Sequence, residues 1–374
     1  MKRILTFTVA ALALAACTQE SELPLLPAEN FQTKINGKAT SLYTLSNGDI
    51  TVQVTNFGAH IVSIFAPDRN GVQGDVCPGY ADIETYMDNP GERFMGCIVG
   101  PVANRIAKST FTMNGQDFKI ASNDGENTLH GGPAGLDKLV WDVEEANDSS
   151  ITLSVLHPDG LDGWPGNIRI SVKYAVTTEN ELRLDYSATT DIPAPFSPSN
   201  HTFFNLTGDC SKTILDHELT INASRFTAID NAFLATGEVR DVEGTPLDFR
   251  TAKAIGKDIE ADYDQLANGH GYDQNWILDR QTENGLEFAA GLYDPESGRE
   301  LKIYTDQIGF QFYSGNFFTG NVNDKYGKSI NYRNALVFET QKWPGALNQT
   351  SFPSIILNPG ETYTHVCVYK FSAR

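Results

Sequence analysis

Apolar and polar positions alternate along most of this chain. Ile50-Thr51-Val52-Gln53-Val54 sets the pattern, and Ile151 to Val155, Ile168 to Val172, Leu182 to Tyr186, Leu301 to Thr305 and His365 to Tyr369 repeat it. A period of two is that of a strand with one face buried. Turn-forming pairs separate these segments: Asn47-Gly48, Asn114-Gly115, Asp124-Gly125, Asn284-Gly285, Ser297-Gly298 and Pro359-Gly360. Helical periodicity is scarce. Ala252 to Leu266 predicts one short helix, and Tyr80 to Asn89 another turn or two. No internal repeat recurs at a fixed period, which gives no support to a propeller or solenoid. The pattern predicts a large all-β protein, mostly antiparallel and in one domain. Periodicity alone does not separate a sandwich from a propeller.

The first residues obey a different rule. Lys2 and Arg3 precede a mostly apolar run, Ile4 to Ala16, too short to span a bilayer as a helix. These are the proportions of a secretory signal. The run ends Leu14-Ala15-Ala16-Cys17, which resembles the lipobox of bacterial lipoproteins, where cleavage precedes a cysteine whose sulfur is then lipidated. The expected organisation is a signal peptide over residues 1–16, lipidated Cys17 with a polar tether over 17–29, and one β domain over 30–374. The expected location is outside the cytoplasm, lipid-anchored to a bacterial membrane. Thr18-Gln19 lacks the aspartate associated with inner-membrane retention, which favours the outer membrane.

Charge narrows the partners. Asp and Glu total 47 against 28 Lys and Arg, a net charge of −19. Such a surface disfavours nucleic acid, because phosphate binding relies on basic residues. Cys77, Cys97, Cys210 and Cys367 show no zinc-type spacing and read mostly as unpaired core residues. His130, His201 and His217 match no zinc motif either, so no metal is expected.

Polar groups that can do chemistry gather in apolar or glycine-rich surroundings. Glu339 follows the apolar run Ala335 to Phe338, where a carboxylate needs partners or a raised pKa, and either makes a useful base. His201 sits among Asn200, Thr202 and Phe203, as a packed core histidine or as a proton carrier. His130 precedes Gly131-Gly132, and Arg105 lies among Val102, Ala103 and Ile106. Asp273, Asn104 and Gln311 add hydroxyl-binding groups. Phe204, Trp276, Tyr313 and Trp343 offer apolar faces. This is a toolkit for a neutral, hydroxyl-rich ligand.

Seven segments, in order over roughly residues 30 to 372, resemble the aldose 1-epimerase (galactose mutarotase) family. They are Ala103 to Ile106, Leu129 to Gly132, Asn200 to Leu206, Gly271 to Asp273, Gln311 to Asn316, Leu336 to Gln341 and Asn358 to Tyr363. Pro101 stands where the family commonly has arginine, and Ser199 where it has threonine. The resemblance implies a large antiparallel β-sandwich and interconversion of the α and β anomers of free aldohexoses. It implies Glu339 as general base, ionised at the start, and His201 as general acid, protonated at the start. Asn104, Arg105, His130, Asp273 and Gln311 fall on sugar-contacting positions. No cofactor is called for, the partner is a monosaccharide, and a monomer is expected. The competing readings are an epimerase acting on a phosphorylated or other sugar, a glycoside hydrolase using Asp273 with Glu339, and a lipid-anchored carbohydrate-binding protein without catalysis.

Overall fold

The structure, a computed structural model, describes residues 23–88 and 91–374. The expected signal peptide and Cys17 lie outside the described residues. The stretch read as a tether is docked from Leu26 onward: Gln53 accepts a hydrogen bond from the Leu26 amide and donates one to its carbonyl, both at 3.0 Å. The reason is apolar. Leu26 and Ala28 pack against a cluster that holds fully buried Phe31, Val62 and Tyr86.

The alternating segments become long antiparallel strands. Asp142–Ala146, Ser150–His157, Ile168–Val176, Glu181–Thr190, Tyr363–Ala373, Arg299–Thr305, Glu287–Tyr293, Glu218–Ile221 and Lys253–Ala254 form a nine-stranded sheet in that spatial order. A second sheet runs Phe203–Phe204, Leu336–Gln341, Gly309–Tyr313, Asp273–Leu278, Ala223–Ile229 and Ala235–Asp241. A four-stranded sheet spans Leu42–Ser46 to Gln73–Asp75. Core side chains of the two larger sheets share one cluster: Trp276, Phe310, Phe312 and Phe338 with Leu182, Leu184, Leu301, Ile303 and Tyr369. Sheets packed face to face make a sandwich, not a propeller.

Helix is as scarce as its periodicity predicts. Ile83–Met87 forms a short helix, with Asp82 accepting from the Thr85 amide as its N-cap. The single helix predicted over Ala252 to Leu266 is broken into a 3-10 turn at Ile255–Lys257 and a helix at Asp264–Gly269. Cys77, Cys97, Cys210 and Cys367 are free and buried, as expected.

The second sheet positions the site. Its period of two puts Phe338 and Thr340 on the face toward the core and Glu339 on the other. Phe310 and Phe312 alternate with Gln311 in the same way, and Trp276 with Asp273 and Asn275. The face opposite the aromatic core is therefore polar, yet buried, because the segments around residues 92–106, 127–138 and 199–203 cover it.

Candidate active site

His201 and His130 reach Glu339 from two of these covering segments. The His201 amide donates to Cys97 O at 2.8 Å, and its carbonyl accepts from the Gly96 amide at 3.0 Å, so its backbone is held on both sides. Ser199 Oγ donates to Thr340 O at 2.9 Å, tying the His201 segment to the strand that bears Glu339. A serine thus supplies a hydroxyl where the resembling family has threonine.

His130 stands in a backbone conformation with φ of 53°, followed by Gly131 at 96° and Gly132 at 97°. A Cβ on Gly131 would lie 1.8 Å from Gly100 O, so only glycine allows this turn to close against its neighbour. His130 Nδ1 accepts from the Asn104 amide at 3.1 Å, which places the proton of the neutral ring on Nε2. Arg93 braces the turn from outside. It makes two bonds to Asp137, at 2.7 and 2.9 Å, and donates to Gly132 O and Pro133 O.

The resulting cleft opens to solvent, and its lining includes Asn104, Arg105, His130, His201, Asp273 and Glu339. Six of the seven residues predicted from sequence therefore converge, and the seventh, Gln311, stands behind Asp273 and donates to its Oδ1 at 2.8 Å. Phe94, Leu129, Tyr313, Phe317 and Glu92 complete the lining. Of the four aromatics singled out in the sequence, Tyr313 alone lines this cleft. Phe204 and Trp276 are fully buried in the core. Trp343 packs on Phe352 with ring centroids 5.2 Å apart. Phe94 and Phe317 take the expected role instead, with the Phe94 ring 4.6 Å from that of His130. Nothing in the local sequence of Phe94 marked it, because its position depends on the pairing of residues 96–97 with His201.

Burial dominates the electrostatics. Glu339 is 2 % exposed and His201 5 %. Desolvation, then the nearby Asp273 charge, push the Glu339 carboxyl well above the usual range, with Arg105 opposing. Desolvation lowers His201 to about 4, against the pull of backbone hydrogen bonds. His130 is driven well below its usual value by burial, then by His201 and Arg105. Burial also raises Asp273, with Arg105 and Gln311 opposing. His130 Nδ1 lies 3.9 Å from Glu339 Oε2, but burial drives the ring toward its neutral form, so this is no ion pair. Burial thus biases both members of the expected acid–base pair toward their neutral forms, the carboxyl upward and the imidazole downward.

Ligand-type atoms of His130, His201 and Glu339 lie within 4.8 Å of one another. These are the residues that could hold a metal ion, an arrangement that sequence spacing does not reveal. His217 is elsewhere, accepting from the Leu206 amide at 2.9 Å. To bind an ion, His130 would first have to release its Nε2 proton, since its Nδ1 is engaged by the Asn104 amide.

An imidazole and a carboxyl within a few ångströms, walled by aromatic rings and hydroxyl-binding groups on a β-sandwich, define an acid–base enzyme site for a small polyol. The aldose 1-epimerase family model matches residues 41–370, and the chain belongs to that family. It is 38 % identical to the galactose mutarotase of Sus scrofa over 330 residues, covering 88 % of this chain and 93 % of that protein. The aldose 1-epimerase of Escherichia coli is 33 % identical over 341 residues, covering 90 % and 97 %. Among solved structures, an aldose epimerase homologue from C. elegans superposes with a TM-score of 0.83 at 30 % identity, covering 90 % of this chain and 99 % of that one.

Proposed function

We propose that this protein interconverts the α and β anomers of free aldohexoses such as glucose and galactose, with Glu339 and His201 as the acid–base pair. One observation carries the reading: His201 and Glu339 are both buried in one cleft with reactive atoms within 4.8 Å. The two oxygens on the anomeric carbon are neighbours, so the groups that serve them must be neighbours too. Glu339 takes the proton of the C1 hydroxyl, the C1–ring-oxygen bond breaks, and His201 gives its proton to the departing ring oxygen. The open chain holds an aldehyde at C1. Rotation about C1–C2 presents its other face, and the same steps run in reverse. Ring opening moves one proton onto Glu339 and one off His201, and reclosure returns both, so the pair works with a single proton between its members. Sugar hydroxyls donating to the Glu339 carboxylate favour its charged form and shift that proton to His201. Arg105 and His130 Nε2–H stabilise charge developing on the oxygens.

A phosphorylated sugar fits this cleft poorly. Glu92, Asp273 and Glu339 supply carboxyl groups, and Arg105 already donates to Asp124 at 2.8 Å. Polarimetry of freshly dissolved α-D-glucose and α-D-galactose tests the reading. The protein should speed the approach to an unchanged final rotation. Glu339→Gln and His201→Gln should each lower turnover about 10²–10⁴-fold, the worth of one positioned acid or base, with the melting transition retained. Near-normal turnover in either would remove that residue from the mechanism.

We further propose that the protein is exported and held through lipidated Cys17 to a bacterial outer membrane, and that it acts as a monomer. Lys2, Arg3, the apolar run and the Leu-Ala-Ala-Cys ending support the anchor. Among the described residues, no helix is long and apolar enough to cross a membrane. Palmitate labelling of the full chain should be lost in Cys17→Ser, and an unlabelled, uncut wild-type chain would refute the anchor. Sedimentation of the soluble part checks the monomer.

A further inference from the structure

The polar face that carries Glu339 extends beyond the residues discussed so far. In the register of the sheet, Glu339 stands opposite Gln311, Gln311 opposite Asn275, and Asn275 opposite Thr227. The four form one row across four strands, on the same face. Asn275 is 1 % exposed. Its Nδ2 donates to Thr227 Oγ1 at 3.4 Å, while its Oδ1 meets no donor. Gln311 repeats the arrangement, with Nε2 spent on Asp273 and Oε1 meeting none. Two adjacent amides thus present buried acceptors without donors, which buried polar groups rarely do.

Both acceptors belong to a narrow crevice that also touches Thr227, Asn104, Arg105 and Asp273. The last three line the catalytic cleft as well, so the crevice is its continuation. Its space suits one water molecule, which needs two or more polar partners. A Cβ on Gly309 would lie 2.6 Å from Asn275 Oδ1, so the bare glycine leaves room for that amide.

Spacing assigns the crevice to one end of the sugar. Neighbouring strands lie about 4.8 Å apart, so Asn275, two strands from Glu339, is roughly 10 Å away across the sheet. The ring carbon farthest from C1 is C4. We propose that Asn275 is a specificity-determining residue, holding with Gln311 one water that accepts a hydrogen bond from the C4 hydroxyl of the bound aldose. The water donates to Asn275 Oδ1 and Gln311 Oε1, which satisfies both acceptors. Glucose and galactose differ only at C4, so this contact separates them. The proposal rests on the anomerase reading above.

The experiment measures kcat and KM for glucose, galactose and 4-deoxyglucose with wild type, Asn275→Leu and Asn275→Asp. Asn275→Leu removes the acceptor at similar volume and should change the glucose-to-galactose ratio of kcat/KM by about fivefold, the worth of one hydrogen bond. The change should sit in KM, with kcat for the better sugar held. For 4-deoxyglucose, wild type and Asn275→Leu should agree. Asn275→Asp keeps an acceptor and should stay nearer the wild-type ratio. Equal losses on all three sugars would assign Asn275 a structural role and overturn the proposal, as would an unchanged ratio. Asn275→Ala, which removes the same acceptor without adding bulk, provides the same comparison if Asn275→Leu does not fold. A wild-type protein inactive on every aldose would instead refute the anomerase reading itself.

Discussion

Arg93→Leu should destabilise this protein in a way that depends on pH. The Arg93 side chain is 24 % exposed, and its partner Asp137 is 1 % exposed. Two charge-assisted bonds join them, and two more from Arg93 reach the carbonyls of Gly132 and Pro133. Removing one member of a buried pair costs about 3–5 kcal/mol. Arg93 is partly solvated, so the expected loss at pH 7 is about 2–4 kcal/mol. The pH dependence follows from Asp137. Burial already raises its pKa from 3.8, with Arg93 opposing. A carboxyl raised on folding contributes stability below its unfolded value and loses it as pH rises through the folded one. Without Arg93 the folded value rises further, so the penalty of the substitution grows from acid to neutral pH. Urea unfolding at pH 4 and pH 7 measures this. The loss should be small at pH 4 and full at pH 7, and Asp137→Asn added to Arg93→Leu should restore more than half of it. Equal losses at both pH values, or no restoration, would refute the reasoning. The same variant should raise KM, since Arg93 braces the turn that presents His130.

The pH dependence of kcat/KM should be bell-shaped, with an acid limb near the His201 value of about 4 and an alkaline limb at the raised value of Glu339; initial mutarotation rates corrected for the uncatalysed reaction would show it, and a flat profile would count against a shared-proton pair. Gly131→Ala should cost about 3 kcal/mol or more and most of the activity, because strain at φ 96° adds to a collision with Gly100 O. Gly115→Ala, at φ 77° with open space around it, should cost only about 1 kcal/mol in the same thermal melt. Lys325 is 1 % exposed at the side chain and reaches Asp75 at 2.9 Å, Cys77 O at 2.7 Å and Val62 O. Lys325→Met should therefore lower stability by about 3–5 kcal/mol in urea unfolding.

Strand content, the scarcity of helix and the buried free cysteines were legible in the residues themselves. A period of two is a local property, set by which side of a pleated chain meets the core. Glu339, His201, His130 and Arg105 stood out as polar groups in apolar or glycine-rich runs, but the residues alone left their roles open, and it was the family resemblance that implied them. What only the tertiary structure decided is everything that depends on which strands become neighbours. Sandwich against propeller turned on how two sheets stack. The wall formed by Phe94 turned on residues 96–97 pairing beside His201, and the exclusion of Trp276 and Phe204 from the cleft turned on which face of their strands met the aromatic core. The shifted titration of Glu339 and His201 was decided there too. A sequence shows that a carboxyl and an imidazole exist, but their pKa values are set by the water removed around them, and that removal happens only when distant segments close over one face of a sheet.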